Sequence, residues 1–572
     1  MPTTTLPFTK EKKIEATSLY QMLPQVLQDV TRDNPHLLSY LQTVPIDEVG
    51  IPQYHLKLNR KLDELKQPNI IYPTSTLGNF VHIYFDPTDE RHTYISIEPT
   101  TDMNVDWLLR QIEIRLIDFM DDLLNMKTDE EKKQSFLSCI DKLCIAGGNG
   151  ETKGNGLVSR IRFRGNGNNK IKCTPQELRA AKYLIVRDKV GVGILDPILH
   201  DPYVEDISCS GLGHIFIEHK IFHSLKSSVK FEDMDDLDEF VFRLAERVKK
   251  PVSLGKPIAD ATLPDGSRIN IVYGRDLTKR GSNFTIRQFS ETPMSILELV
   301  ELGTLDYKMA AYMSMTIEAG MSVFISGETA SGKTTTLNAL TTFIPPNDKV
   351  VSIEDTPELK VPHKHWLQEV VQTTKVESEN EVTMFDLLKA ALRQRPNEII
   401  VGEIRGPEGA IAFQAMQTGH PVMSTFHAAS VQKLIQRLTG SPINVPKAYI
   451  DNLNVIVIQS SVKLPNGKMG RRVLSLNEIV GYDAVNESFA FLEIFRWDAV
   501  TDSFEFTGYM NSFLLEQKIA LKRGIPTHQL KRIYQELDRR AKVLEKLHKE
   551  RGITDFYELL TILARAQQQG LF

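Results

Sequence analysis

Short apolar runs of β-forming residues, Ile70-Ile71-Tyr72, Val81-His82-Ile83-Tyr84-Phe85 and Tyr94-Ile95-Ser96-Ile97, follow a polar, Pro-containing lead and predict strands. Over residues 105–126 and 129–143 the apolar spacing changes to three and four, which predicts two helices and, with the strands, a small α/β domain over 1–146. The stretch 147–174 breaks the pattern: Gly-Gly-Asn-Gly, Lys-Gly-Asn-Gly and Gly-Asn-Gly-Asn-Asn do not propagate regular structure. Its Arg160, Arg162, Arg164, Lys170 and Lys172 make it either a solvated linker or a basic surface suited to anionic lipid or a partner.

Periodicity resumes with a helix over 175–188, the β-like run Ile215-Phe216-Ile217, an amphipathic helix over 237–249 and a strand over 283–289, a second α/β domain spanning 175–290. From Pro293 helices alternate with short apolar strands, the pattern of a parallel sheet covered by helices. Past residue 450 the runs at 454–459, 472–476 and 490–495 predict antiparallel strands, with Pro465-Asn466-Gly467 as a hairpin turn. Charge-laced helices at 514–523, 527–551 and 554–567 close the chain.

Composition narrows the class. The 572 residues are 41% apolar and 25% charged, an ordinary globular balance. A formal net charge of -5 offers no chain-wide field for phosphodiester backbones, so no nucleic acid partner is expected. Four cysteines, at 139, 144, 173 and 209, form no C-x-x-C pair, which suits a reducing compartment and argues against structural zinc. Neither a signal-peptide run at the start nor a run of about 18 apolar residues later is present, so the protein is expected to sit against a membrane rather than in one.

One segment carries explicit chemistry. Gly327-Glu328-Thr329-Ala330-Ser331-Gly332-Lys333-Thr334 fits the P-loop pattern at every specified position. A buried-strand candidate, Ser322 to Ser326, precedes it and a helix over 334–342 follows, so backbone N–H groups and a positive dipole end would meet a β-phosphate. Lys333 would neutralise β/γ oxygens, the Thr334 hydroxyl would hold Mg²⁺, and Thr335 completes the expected nucleotide-binding set.

Two apolar runs end in carboxylates. Val350-Val351-Ser352-Ile353 leads to Glu354 and Asp355, with Glu358 close behind, and Glu398-Ile399-Ile400-Val401-Gly402 leads to Glu403. An acid at the C-terminal edge of a parallel strand faces the ligand crevice, so Glu354 and Glu403 are both candidates for orienting or deprotonating water, and Glu403 also for holding Mg²⁺ through water. A third run, Val422 to Phe426, lies between His420 and His427, and His427 is placed to sense a γ-phosphate as a neutral imidazole. Among the arginines that could compensate phosphate charge (Arg268, Arg275, Arg280, Arg287, Arg393, Arg395, Arg405), Arg268 and Arg287 are preferred because each sits in a β-like run at a domain edge.

Taken in order, Gly-Glu-Thr-Ala-Ser-Gly-Lys-Thr-Thr-Thr, Ser-Ile-Glu-Asp-Thr-Pro-Glu, Leu-Arg-Gln-Arg-Pro-Asn-Glu-Ile-Ile-Val-Gly-Glu-Ile-Arg and Thr-Gly-His-Pro-Val-Met-Ser-Thr-Phe-His-Ala resemble the Walker A, acidic, Walker B and histidine boxes of the secretion-ATPase superfamily. The resemblance covers about 175–500 and is closest to the archaeal branch of type IV pilus and archaellum motors, since the paired C-x-x-C module of many bacterial type II enzymes is missing.

It implies an α/β chain: a RecA-like P-loop core with a β extension over 291–510, preceded by a PAS-like α/β domain over 175–290 and an α/β domain over 1–146 that meets a partner or membrane platform, and followed by a helical region over 511–572. It further implies a cytoplasmic homohexamer, peripheral to the membrane, that binds ATP and Mg²⁺ between the second domain and the core. Closure would push a polytopic inner-membrane platform protein to assemble a pilus, archaellum or pseudopilus. In that frame Glu354 matches the acidic-box glutamate, Glu403 the Walker B glutamate and His427 the last histidine of its box. Two rival readings share these residues: a conjugation-type secretion ATPase, which the acidic net charge disfavours, and an ATP-binding scaffold that does not hydrolyse, which the intact Lys333, Thr334, Glu354 and Glu403 disfavour.

Overall fold

The β-rich runs on both sides of the glycine stretch enter a single sheet. The structure is a computed structural model that describes residues 3, 4, 8, 16–74, 78–87, 89–100, 103, 105–119, 126, 128–146, 170–288, 292–371, 382–486, 488–570 and 572. Contacts divide the chain into two units, Met1–Phe289 and Ser290–Phe572.

The first unit contributes β1 (Thr3–Thr4), β2 (Gln53–Tyr54), β3 (Asn69–Pro73), β4 (Phe80–Asp86), β5 (Arg91–Ile97), β6 (Cys144–Ala146), β7 (Ile171–Cys173), β8 (Val204–Cys209), β9 (Gly213–His219), β10 (His223–Phe231), β11 (Ile258–Thr262), β12 (Arg268–Val272) and β13 (Asn283–Arg287). Among the described residues, eleven of these form one sheet in the order β11-β12-β13-β8-β9-β10-β5-β4-β3-β2, with β1 on β10, while β6 and β7 pair separately.

The sheet departs from the two separate domains expected over 1–146 and 175–290. β10 from the second segment pairs with β5 from the first, Lys226 opposite Thr93 and Ser227 opposite Tyr94. A polar knot accompanies the joint. The buried Asp201 carboxylate accepts the hydroxyls of Tyr72 at 2.7 Å and Tyr94 at 3.0 Å, so tyrosines of the early strands satisfy an acid of the later segment. Local composition marks a break in the chain, whereas strand pairing ignores sequence distance.

Two further expectations change. The lead expected to be merely polar carries four short helices, Ala16–Met22, Gln25–Asp33, Pro35–Leu41 and Ile46–Val49. Their Leu19, Leu27, Leu37 and Tyr40 are buried with Ile71, Phe80 and Ile95. The basic stretch ends in β7, and Arg160, Arg162 and Arg164 lie outside the described residues. All four cysteines are buried free thiols.

The second unit contributes β14 (Val323–Ser326), β15 (Val350–Glu354), β16 (Trp366–Val370), β17 (Glu398–Glu403), β18 (Val422–Phe426), β19 (Val455–Lys463), β20 (Met469–Asp483), β21 (Ser488–Asp498) and β22 (Ser503–Phe506). Their order is β16-β15-β17-β18-β14-β19-β20-β21-β22, parallel from β16 to β19 and antiparallel from β19 onward. All four residues of β14 are buried, as a continuous apolar run in the middle of a covered parallel sheet should be.

The helices that close the chain join the core. Helix Lys531–Lys549 buries Ile533, Leu537 and Leu544 in the same cluster as Val323 and Ile325 of β14. Its Arg540 is 1% exposed, and its charge is matched by Glu318 at 2.6 Å and Glu536 at 3.2 Å.

Candidate functional site

β14 ends at Ser326, and the chain turns through the glycine loop into helix Lys333–Leu340. Two glycines are required by geometry. A Cβ on Gly327 would lie 2.0 Å from the Gln459 carbonyl oxygen, and Gly332 takes φ +91° as the residue that opens the helix. The amides of Gly332, Lys333 and Thr334 find no acceptor among the described residues, so three donors at a helix N-terminus converge on the loop.

Lys333 is largely buried, and its ammonium bridges back to the Glu328 carbonyl at 2.8 Å. Burial pulls its pKa below the usual lysine value; Arg405 adds to that and Glu403 opposes it. The Ser331 hydroxyl is buried with no partner among the described residues.

The ends of β17 and β18 bring Glu403 and His427 to this loop. The β17–β18 ladder slips between Val401 and Glu403, a bulge of the kind that re-aims side chains beside ligand sites, and the Thr425 hydroxyl donates to the Gly402 carbonyl at 2.6 Å to hold it. Beyond β18, the Ser326 hydroxyl donates to the Ala428 carbonyl at 2.7 Å, which ties the chain after His427 to the root of the loop.

Glu403 Oε2 accepts from Arg405 at 2.5 Å. Its Oε1 stands 3.2 Å from His427 Nε2 without hydrogen-bond alignment, so that oxygen is buried and unfilled. His427 is held below the usual imidazole pKa by burial, reinforced by Lys333, Arg405 and Arg437 and opposed by Glu403, a balance that favours the neutral ring. The Arg437 guanidinium donates to the His427 carbonyl and lies 5.3 Å from the Phe426 ring centroid.

Glu354 is placed differently. It ends β15, 2% exposed, and its Oε1 accepts the amides of Glu358 and Leu359, both at 2.8 Å, while Oε2 accepts from Gln368 at 3.0 Å. Burial raises its pKa and these three donors oppose the rise. The carboxylate thus holds its own loop, beside Gly402, where an added Cβ would lie 3.3 Å from Glu354 Cγ.

Other expected residues scatter. Glu328, Thr329 and Ala330 are the exposed crest of the loop, and Thr334 and Thr335 are half-buried on the first helical turn. His420 precedes β18, at the strand end opposite His427, and meets the Thr418 hydroxyl at 3.1 Å. Arg393 ends helix Met384–Arg393 and Arg395 follows it, both exposed.

In the first unit, Arg268 on β12 and Arg287 on β13 are register partners and share a sheet face, and Arg287 pairs with Asp206 of β8 at 2.9 Å. Arg275 pairs with Asp235 and Asp238, and Arg280 donates to the Leu212 carbonyl at 2.9 Å. Sequence reading passed over Arg437, Gln459 and Arg471. They sit on later elements with no motif spacing to the loop; the sheet order brings Gln459 and Arg471 to it, and helix Val431–Thr439 brings Arg437 to His427.

A family model described as "Type II/IV secretion system protein" matches residues 188–473. An uncharacterized protein of Methanocaldococcus jannaschii, MJ0900, is 44% identical over 551 residues, 95% of this chain and 97% of its own length. The type IV secretion system protein PtlH of Bordetella pertussis is 31% identical over 229 residues, 36% of this chain and 67% of its own. The X-ray structure of the Legionella pneumophila ATPase DotB is 18% identical, covering 64% of this chain and 93% of that one with a TM-score of 0.39.

Proposed function

The chain belongs to the type II/IV secretion system protein family, and from that premise we propose that it is an ATP-hydrolysing, Mg²⁺-dependent hexameric motor that drives assembly of a pilus-like or archaellum-like filament through a membrane platform protein. The observation that carries the enzymatic part is the convergence of Lys333, Glu403 and His427 on one loop, at the C-terminal edge of three neighbouring parallel strands.

The residues fit a nucleoside triphosphate. Three unfilled amides and the Lys333 ammonium would hold phosphate oxygens, and the half-buried Thr334 would hold Mg²⁺, which supplies charge neutralisation between the phosphates. The unfilled Glu403 Oε1 would take a proton from water, or help to hold Mg²⁺ through water, without first breaking a hydrogen bond, which favours it over Glu354 as the base. His427, kept neutral, offers a ring nitrogen whose bonding follows phosphate occupancy. Arg268 and Arg287 are proposed as further charge-compensating arginines because they are register partners on β12 and β13.

No helix among the described residues is long and apolar enough to cross a membrane, and we place the motor in the cytoplasm against the membrane face. The net charge of -5 supports a protein cargo over DNA. Phosphate release from Mg-ATP, measured with anionic liposomes and separately with single-stranded DNA, tests this. Stimulation by liposomes alone is expected, and stimulation by DNA alone contradicts the filament reading.

A further inference from the structure

The loop's third wall is built by the β extension. β19 follows β14 in register up to Ser326 opposite Ile458, and at the next residue the β19–β20 ladder slips, between Ile458 and Gln459. That slip seats Gln459, 1% exposed, under the loop. Its Nε2 donates to the Ser331 carbonyl at 2.9 Å and its Oε1 accepts from the Thr336 hydroxyl at 2.8 Å, so one carboxamide spans the loop and the helix it opens. Its main-chain oxygen is the atom that forbids a side chain on Gly327.

The returning strand places two successive arginines on opposite duties. Arg472 is 5% exposed and locks the hairpin root, with two bonds to Asp502 at 2.7 and 2.8 Å and one to the Leu302 carbonyl at 2.9 Å. Arg471, opposite Ser461 of β19, is exposed, and its Nε donates to the Ala330 carbonyl at 3.2 Å. Ala330 is held at φ +61°, where an alanine is strained. The Arg471 donor fixes that carbonyl and so helps to hold the strained residue in place. The two terminal nitrogens of Arg471 have no partner among the described residues.

We infer that Arg471, supported by Gln459, is a positioning residue that holds the P-loop in its phosphate-binding shape and thereby sets nucleotide affinity. The inference rests on the ATPase reading. Arg471 touches the loop's main chain at Ala330 and no reacting atom, so its contribution is one of uniform binding and belongs in KM and Kd rather than in kcat.

The test uses the full chain: calorimetric titration with Mg-ADP and steady-state turnover of Mg-ATP for wild type, Arg471→Ala and Arg471→Lys. Arg471→Ala is expected to raise the Mg-ADP Kd and the Mg-ATP KM about tenfold and to change kcat by less than about twofold, as the loss of one charge-assisted hydrogen bond implies. Arg471→Lys, which keeps a cationic donor, is expected to recover a part of that loss. Unchanged Kd and KM in a folded Arg471→Ala protein overturn the inference, as does a fall in kcat alone. If Arg471→Ala does not fold, Gln459→Glu, which removes the donor to Ser331 at constant size, must shift Kd in the same direction or the inference fails. A wild-type chain that binds no Mg-ADP overturns the ATPase reading instead.

Discussion

Lys333→Ala is expected to lower steady-state phosphate release from Mg-ATP by about three orders of magnitude, because it removes the charge that faces the oxygens on which negative charge develops. The ammonium is largely buried, and desolvation already weakens its hold on a proton, so the site has little water with which to replace it. Among the described residues its ammonium donates to the Glu328 carbonyl, a neutral acceptor that a phosphate can displace. Folding should tolerate the change, since no carboxylate is left unpaired by it. Phosphate release within about tenfold of wild type from a folded Lys333→Ala protein would remove Lys333 from the site.

Glu403→Gln should produce the second-largest effect, slowing hydrolysis about a hundredfold while Mg-ATP affinity stays within about threefold of wild type. The substitution keeps the shape of the side chain and abolishes its basicity. Oε1 is the buried oxygen with no bond to lose, and Oε2 already satisfies Arg405, so a carboxamide is tolerated structurally but takes no proton. Glu354→Gln serves as the contrast. Glu354 is spent on two amides and Gln368, and its replacement should loosen the loop from Asp355 to Leu359 more than it slows chemistry. Single-turnover quench measurements beside equilibrium binding separate the two cases. A Glu354→Gln protein slower than Glu403→Gln would reverse the assignment.

Much of this site was legible because it is local. A glycine loop between a wholly buried strand and a helix constrains its own backbone, and Gly327, Gly332 and Lys333 could be placed from spacing alone. The carboxylates were legible as strand ends but not in their duties. Only the tertiary structure shows Glu354 bound to its own loop and Glu403 re-aimed by the slip at Gly402. Gln459 and Arg471 were invisible, since they reach the loop across the sheet from residues more than a hundred positions later.

The same contrast holds for the fold. The pattern of the parallel core was readable from its apolar runs, whereas the joint between β5 and β10, which merges segments divided by the glycine stretch, depends on pairing that no local periodicity encodes. The helices before β2 escaped notice because Pro24, Pro35 and Pro45 interrupt the lead, although each proline precedes or opens a helical turn there.

The central claim is that the folded chain turns over ATP. A continuous phosphate-release assay on the purified wild-type protein tests it most directly. Release that saturates with ATP and stops when EDTA removes Mg²⁺ is the expected result, and a folded sample that releases no phosphate above the buffer rate would contradict it.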